Sequence, residues 1–201
     1  SGAASISGEA YIRKPDSVGP PVKVCDVKAF DENGNALGPN ELGELWIKGA
    51  TVVKGYWNKP EATAASFTDG WFHTGDIGMV DDEGFVYIKD RLKDMIIRGG
   101  ENVYCAEVEA ALIEHPDVND ACVFGVPHKV LGEEVAVVVE TKKGSALTVD
   151  ALTEHAAKTL AKYKIPAHCW FSDKPLPVGV TGKVQKKELK AHYTEQLNAG
   201  A

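Results

Sequence analysis

The pattern of apolar residues changes once along this chain, and that change limits the possible folds more than any other feature of the sequence. Up to Asp90, short apolar runs alternate with turn-forming stretches such as Asp31–Asn35 and Asp81–Gly84, which is typical of β-structure. From residue 91 onward, segments with helical spacing alternate with short apolar strands. The sequence therefore predicts a mixed α+β fold, with a β-rich subdomain shaped as a distorted barrel over residues 1–90 and a small α/β domain over residues 91–201.

The same patterns predict individual elements. Within residues 1–90 we expect strands at Val22–Val24, Leu42–Ile47 and Phe85–Ile88, and a short helix at Thr63–Phe67. Beyond residue 90 we expect strands at Met95–Ile97, Val118–Val126, Val135–Glu140 and Trp170-Phe171, and helices over Ala106–Glu114, from Thr148 through Leu160, and over Lys186–Leu197. The unbroken apolar run at 135–139, within the expected strand Val135–Glu140, predicts a strand that is buried on both faces.

Composition and charge argue against several classes of protein. The formal net charge of −7 does not favour binding to nucleic acid. No apolar run reaches the roughly eighteen residues of a membrane span and no signal peptide is visible, so a cytoplasmic protein is expected. The four cysteines form no C-x-x-C pair and the six histidines have no metal-ligand spacing, which indicates reduced thiols and no metal site. The chain begins without an initiator Met, and we expect it to be part of a longer protein.

Asp76 is the first candidate for ligand binding, because it ends a His-Thr-Gly-Asp segment that has the composition of a turn. Gly75 would let a ligand approach the backbone, and one carboxylate can accept hydrogen bonds from both hydroxyls of a ribose. A carboxylate that only caps the turn is the alternative. Arg91 follows an apolar run, and its planar guanidinium could bind a phosphate or a ribose, or could pair with Asp90 or Asp94.

Gly99 and Gly100 follow the next apolar run and allow either close approach of a narrow ligand or a tight turn after a strand. Asn102 could then present its amide to a polar ligand. Lys93 lies where the two sequence patterns meet, so a backbone rotation would be absorbed most easily there, although a plain surface lysine fits equally well.

Lys183 is the candidate for catalysis. It ends the glycine-containing segment Val180–Lys183, which could carry an ammonium group into a cleft. There it would neutralise the charge that develops as a carboxylate attacks the α-phosphate of ATP. The segment lacks the G-x-x-x-x-G-K-[ST] spacing of a phosphate loop, because Val184 follows the lysine, and a surface lysine is the alternative.

The charged residues of the second domain allow two interpretations of its lysine-rich stretch. Eight lysines lie between Lys158 and Lys190, against only Asp173 and Glu188, and they form either a solvated face or a surface that meets phosphates. Glu107 and Glu109, on an expected helix, are interpreted as solvated.

Six motifs occur in one order along the chain: Gly43-Glu44-Leu45, the segment 55–63, WFHTGD at 71–76, DRLKDMIIRGGENVY at 90–104, LAKYKIP at 160–166 and LPVGVTGKVQKKEL at 176–189. In this order they resemble the adenylate-forming, or AMP-binding, superfamily, which includes acyl- and aryl-CoA synthetases, luciferase and the adenylation domains of non-ribosomal peptide synthetases. The resemblance covers nearly the whole chain. It is strongest to the C-terminal third of an acyl-CoA synthetase, most like the fatty-acid CoA ligases.

That resemblance implies a role for each candidate. Lys183 would assist adenylation, and Lys93 would be the hinge between a large N-terminal domain and a small mobile C-terminal domain. The nucleotide, as ATP or AMP, would be bound by Asp76, Arg91 and Asn102. The channel for the pantetheine arm of CoA would be lined by Gly99 and Gly100.

The resemblance also implies a reaction in two halves. A carboxylic acid and Mg·ATP give an acyl-adenylate and pyrophosphate; the small domain then swings, and the thiol of CoA attacks to release AMP. ATP, Mg²⁺ and CoA would be substrates or cofactors of the complete enzyme, and this chain alone would bind none of them tightly. The phosphate loop and the acyl pocket would belong to the missing N-terminal domain, so the chain alone is expected to be inactive.

Two positions depart from the family pattern. Cys105 stands where the family often has proline, which makes the start of the following helix less fixed, and Val178–Val180 replaces a more usual Thr/Ser-rich approach to the lysine. Three other functions stay open: a carrier-protein-loading adenylation domain, a luciferase-like oxygenase, and a non-catalytic module that binds a nucleotide or CoA.

Overall fold

The structure is a computed structural model that describes residues 2–199. Ser1, Gly200 and Ala201, at the outer ends of the two expected domains, lie outside the described residues. The chain divides into two compact units, one ending at Lys93 and the other beginning at Asp94. The division therefore falls at the end of the segment where the two sequence patterns meet.

The first unit is built on an antiparallel sheet. Its strands within residues 2–93 are β1 (Cys25–Phe30), β2 (Gly43–Gly49), β3 (Phe67–Thr68), β4 (Trp71–Val80) and β5 (Val86–Arg91), and its helices are α1 (Gly8–Arg13) and α2 (Pro60–Ala65). The strand order is β1-β2-β4-β3, and β5 also pairs with β4. Since β4 pairs with β2, β3 and β5, it is the central strand of the curled sheet.

Alternation along β1 and β2 gives this sheet two different faces. One face carries small and aliphatic side chains that form the core of the unit, with Val27, Leu45, Ile47 and Val86 among its buried members. The opposite face carries aromatic rings, because residues at even spacing along a strand share a face. There the rings of Phe30 and Trp46 stack with their centroids 4.1 Å apart.

Two predicted elements of this unit need correction. Val22–Val24 is not a strand but lies in a turn that leads into β1, in which the N–H of Cys25 donates to the carbonyl of Val22. The short helix begins at Pro60, earlier than expected, because proline fits the first turn of a helix where no N–H is needed. Phe67 lies in β3 and not in that helix.

The second unit has helices on both faces of a mixed sheet. Its strands within residues 94–199 are β6 (Ile96–Arg98), β7 (Glu101–Val103), β8 (Val118–His128), β9 (Gly132–Thr141) and β10 (His168–Ser172); its helices are α3 (Cys105–Ile113), α4 (Val149–Ala156) and α5 (Lys186–Ala199), with a 3-10 turn at Lys162–Lys164. Strand β9 pairs antiparallel with β8 and parallel with β10.

Strand β9 explains why the unit needs helices on both sides. Val135, Val137 and Val139 are buried against α3 and α4, whereas Ala136 and Val138 are buried on the face that packs against α5. The predicted strand buried on both faces is therefore confirmed. Together the two units confirm the mixed α+β class, with a β-rich part followed by a small α/β part.

Helix α4 begins as its sequence predicts and ends sooner. The side chain of Thr148 accepts a hydrogen bond from the N–H of Ala151, which caps the helix start. The helix ends at Ala156, and Leu160 is buried in the turn that follows and not in the helix. Within residues 2–199, no helix is both long and apolar enough to cross a membrane.

Candidate functional site

Asp76 lies inside strand β4 and not in a turn between strands, which corrects the interpretation of the His-Thr-Gly-Asp segment. Between two regular pairs of β2 and β4, the single residue Leu45 faces Thr74, Gly75 and Asp76. We call this irregularity the 74–76 bulge. Gly75 has a φ of +70° there, a left-handed conformation that glycine adopts without penalty.

The carboxylate of Asp76 forms an ion pair with Arg91, which lies opposite it in β5. The Nε atom of Arg91 is 2.9 Å from Oδ1 of Asp76. The sequence suggested other partners for this arginine, and one of them, Asp90, accepts a hydrogen bond from the backbone N–H of Arg91 instead. The side chain of Asp76 is 27% exposed, and its second oxygen is not used by the ion pair, so the carboxylate can still accept from a ligand hydroxyl.

A cavity of about 450 Å³ opens beside this ion pair within the first unit. The polar groups in its lining come from Thr74, Asp76 and Arg91. The rest of the lining is apolar and comes from Ala3, Ala4, Val18, Val27, Leu45, Ile47, Phe72, Val86 and Ile88. A few convergent polar groups beside an apolar wall are typical of small-molecule sites.

Gly99 and Gly100 form the two-residue turn of the β6–β7 hairpin. Their φ values are +61° and +89°, and positive values at both positions are what a tight hairpin turn requires. A side chain at Gly99 would meet Leu131 at 3.3 Å, whereas a Cβ at Gly100 would have nothing within 4 Å. Asn102 is exposed on β7 and faces Ile97 across the hairpin. The tight turn predicted for the glycine pair is present, and the binding of CoA there stays a prediction.

Lys183 is exposed on a short hairpin just before α5. Val178 and Val184 pair at its base, and the N–H of Gly179 donates to the carbonyl of Lys183 at 2.8 Å. The N–H of Gly182 in turn donates to the carbonyl of Gly179 at 2.9 Å. The lysine is thus presented on a closed tip that continues directly into α5.

The candidates fall into groups that lie in different parts of the chain. The first unit holds Asp76 and Arg91 beside one cavity, and its last residue, Lys93, lies in an exposed turn. The second unit holds Asn102 and the glycine pair on one hairpin and Lys183 on another.

Several carboxylates that the sequence analysis treated as solvated, or passed over, are paired with lysines of the 158–190 stretch. The ion pairs are Glu107–Lys164 at 2.6 Å, Glu109–Lys186 at 2.9 Å and Glu133–Lys190 at 3.3 Å. The lysine-rich stretch is therefore neutralised in part, and it is not a uniform surface for phosphates.

The Glu109–Lys186 pair is the most enclosed of these. Glu109 also accepts a hydrogen bond from the N–H of Val123, at 2.8 Å. Burial lowers the pKa of Lys186, but the neighbouring Cys105, Glu109 and Cys122 raise it by more, so the pKa of this ammonium lies above its usual value. The pair joins α3 to the start of α5, three residues after Lys183.

Glu133 links three elements of the second unit. One of its carboxylate oxygens accepts from the N–H of Ile97 in β6 at 3.2 Å, and the other pairs with Lys190 of α5. Gly125 leaves the room for this carboxylate, because a Cβ at that position would lie 2.6 Å from it.

Cys105 occupies the first residue of α3 and is completely buried. Its thiol lies 2.9 Å from the carbonyl oxygen of Asp94, to which it can donate. The helix therefore begins at a defined residue, where the sequence analysis expected its start to be less fixed. Burial also raises the pKa of Cys122 to about 12 and that of Cys169 to about 11, which makes both thiols unreactive at neutral pH.

Glu44 is the residue of this site that sequence reasoning missed. Its carboxylate accepts hydrogen bonds from Nε1 of Trp46 at 2.8 Å and from the N–H of Gly75 at 2.9 Å. The pairing with Trp46 could have been found, since residues two apart on a strand share a face. The contact with Gly75 spans 31 positions of sequence and depends on the register of β2 against β4.

Two protein-family models match the chain. The model of the AMP-binding enzyme matches residues 1–57, and that of the AMP-binding enzyme C-terminal domain matches residues 107–183. The chain belongs to the AMP-binding enzyme family. Among this family's curated members, 2-succinylbenzoate–CoA ligase of Geobacillus kaustophilus is 44% identical over 190 residues, which is 93% of this chain and 38% of that protein.

Other AMP-binding enzymes match to a similar degree. Long-chain-fatty-acid–CoA ligase of Bacillus subtilis is 45% identical over 183 residues, covering 90% of this chain and 32% of that protein. The structure of o-succinylbenzoate CoA synthetase from Bacillus subtilis, in complex with its acyl-adenylate intermediate, is similar with a TM-score of 0.86 and 39% identity, covering 94% of this chain and 38% of that one. The chain thus spans about a third of the length of the relatives it matches, and these are named for different acids.

Proposed function

We propose that this chain is the C-terminal part of an ATP-dependent acyl-CoA synthetase. The observation that carries the proposal is the Asp76–Arg91 ion pair beside a cavity, in a chain of the AMP-binding enzyme family. The complete protein would convert a carboxylic acid and ATP into an acyl-adenylate and pyrophosphate, and would then transfer the acyl group to CoA with release of AMP.

In the first half-reaction, Asp76 and Arg91 hold the nucleotide. The free oxygen of the Asp76 carboxylate accepts from the ribose hydroxyls, while the guanidinium of Arg91 lies close enough to the same carboxylate to contact the ribose or the phosphate. Lys183 then places its ammonium group near the α-phosphate, where it offsets the negative charge that develops as the substrate carboxylate attacks. Mg²⁺ accompanies the ATP as part of the substrate.

In the second half-reaction, the β6–β7 hairpin serves CoA. Gly100 leaves open space beside the backbone, which suits the narrow pantetheine arm, and Gly99 sets the turn. Asn102 lies on the same hairpin and contributes to the nucleotide side of the site. Lys93, in the exposed turn at the end of the first unit, is the hinge that allows the second unit to serve both half-reactions.

The narrower proposal concerns the acid. A fatty acid is our first choice, because the 98–104 segment (RGGENVY) resembles that of fatty-acid CoA ligases. The whole protein would act in the cytoplasm, with the acid, ATP and CoA as its small-molecule partners. Because the chain spans about a third of its relatives' length, we expect no turnover from the chain by itself.

The test uses the complete protein that carries this chain. Pyrophosphate and AMP release are measured with CoA and with acetate, aryl acids and medium- to long-chain fatty acids in turn. The proposal expects one class of acid to support turnover. Lys183→Ala is expected to lose adenylation yet still convert a preformed acyl-adenylate to the thioester, while Lys187→Ala, an exposed lysine of α5, serves as the matched control.

The outcomes separate the competing functions. Activation of an acid with transfer to a carrier protein, and not to CoA, would identify a carrier-protein-loading adenylation domain, and light emission with oxygen would identify a luciferase-like enzyme. Binding of ATP or CoA without activation of any acid would refute the synthetase and leave a binding module.

A further inference from the structure

The 74–76 bulge creates backbone groups that the sheet itself cannot satisfy. Three residues of β4 face the single residue Leu45 of β2, so the regular ladder of hydrogen bonds is interrupted there. Backbone N–H and carbonyl groups that lie away from water need other partners. The identity of those partners decides where the Asp76 carboxylate points.

Side chains provide most of these partners. The carboxylate of Glu44 accepts from the N–H of Gly75 at 2.9 Å. The hydroxyl of Thr74 donates to the carbonyl of Leu45 at 2.5 Å and accepts from the N–H of Asp76 at 3.0 Å. The carbonyl of Gly75 accepts from the N–H of Leu92, at 2.8 Å. Glu44 therefore holds the N–H of Gly75, and Leu92 holds its carbonyl. Leu92 directly precedes Lys93, the proposed hinge.

Glu44 is itself fixed in place. Its second carboxylate oxygen accepts from Nε1 of Trp46 at 2.8 Å. Trp46 is 6% exposed, and its indole stacks between the rings of Phe30 and His73, with centroid distances of 4.1 Å and 4.0 Å. A carboxylate with both oxygens engaged and a donor that cannot rotate has one orientation available.

The sheet separates this support from the cavity. Glu44 and Trp46 share the aromatic face of β2, because they are two residues apart, whereas Leu45 lies on the other face and lines the cavity together with Asp76. We propose that Glu44 is a positioning residue, which holds the 74–76 bulge from the aromatic face so that Asp76 meets the ribose from the cavity face. This inference rests on the proposed function for its consequence in catalysis, but not for the contact itself.

The central variant is Glu44→Gln in the complete protein. A glutamine amide has one acceptor oxygen and one NH₂ group, so either Trp46 or Gly75 would find a donor where it needs an acceptor. Trp46→Phe keeps the ring stack but removes the indole N–H, and should act in the same direction with a smaller effect. Glu41→Gln is the matched control, because Glu41 also accepts from a backbone N–H, that of Gly38, in an exposed loop of the same unit.

The first measurement does not depend on activity. Hydrogen exchange in peptides that cover residues 72–78 should be faster in Glu44→Gln than in the wild type, and unchanged in Glu41→Gln. Equal protection in Glu44→Gln and the wild type would overturn the proposal, whatever reaction the protein catalyses.

The second measurement compares ATP with 2′,3′-dideoxy-ATP, which lacks both ribose hydroxyls. Glu44→Gln should lower kcat/KM for ATP by about ten- to a hundredfold, the range expected when a binding group is misplaced, and should change the value for the dideoxy nucleotide much less. Equal losses with both nucleotides would indicate general damage to the fold and would refute the positioning role. A wild type that does not distinguish the two nucleotides, or does not use ATP, would instead refute the proposed function, and the exchange measurement would then decide the role of Glu44 by itself.

Discussion

Replacing Lys186 by Met should destabilise the second unit by an amount that can be worked out from the Glu109–Lys186 ion pair. At the observed 2.9 Å and an effective dielectric constant of about 20, the two charges attract by about 6 kcal/mol. The side chains of Lys186 and Glu109 are only 25% and 23% exposed. The free-energy cost of removing both charges from water therefore offsets much of this attraction. Loss of one partner also leaves Glu109 charged and about three-quarters buried, so we expect the free energy of unfolding to fall by about 2 kcal/mol.

The chain offers a matched control on the same helix. Lys190 pairs with Glu133 at 3.3 Å, with side chains that are 46% and 31% exposed, so Lys190→Met should cost less than about 1 kcal/mol. Both changes replace lysine by methionine in α5, so the side chain removed and the side chain introduced are the same in the two variants. The difference between the free energies of unfolding of the two variants therefore reports how much the burial of the ion pair contributes.

Hydrogen exchange, measured at increasing urea concentration in peptides of the second unit, would give the loss of stability in each variant. Peptides of the first unit are analysed separately, so the two units are not confused. In a background that already carries Glu109→Gln, the cost of Lys186→Met should shrink. Since the pKa of Lys186 is raised in the folded state, the stabilisation is fully present below its unfolded pKa and should be lost only as the pH rises through the higher, folded pKa. A loss from Lys186→Met no larger than that from Lys190→Met would refute the reasoning.

Three further predictions follow from local features. Gly75→Ala should destabilise the first unit by about 1 kcal/mol as judged by its urea midpoint, because the φ of +70° penalises a side chain even though a Cβ would meet no atom within 4 Å. Burial raises the pKa of Asp81, but its ion pair with Lys14 and two backbone hydrogen bonds lower it by more; the stability of the first unit should therefore fall as the pH drops below about 4, and Asp81→Asn should flatten that dependence. Cys122 and Cys169 should resist alkylation by iodoacetamide at pH 8 until the second unit unfolds, and mass spectrometry that found either labelled in the folded protein would contradict the pKa values of about 12 and 11.

Local patterns in the sequence predict the elements of the second unit well. The run at 135–139 is buried on both faces because its residues are apolar at every position, and no contact from elsewhere is needed to see this. The cap at Thr148 is equally local, since donor and acceptor lie three residues apart. The end of α4 was missed because Leu160 continues the helical spacing while the backbone already turns.

The candidate site is harder to predict because its contacts join residues that lie far apart in the sequence. A glycine before Asp76 signals a positive φ, but the same signal fits a turn and a bulge, and only the register of β2 against β4 separates them. The ion pair of Arg91 with Asp76 depends in the same way on which residue of β4 lies opposite Arg91, and carboxylates that neighbour Arg91 in the sequence do not indicate it. Glu109 and Lys186 lie 77 positions apart, and nothing local to either residue indicates the other.

The crowding between Gly125 and Glu133 has a consequence for sequence change in this protein. Any side chain at 125 would displace the Glu133 carboxylate, and with it the contacts to the Ile97 N–H and to Lys190. Among natural variants, a larger residue at 125 should accordingly be accompanied by a shorter residue at 133, so that substitutions at the two positions are correlated. A designer who wishes to rigidify β8 by removing its glycine must therefore first supply β6 and α5 with another acceptor.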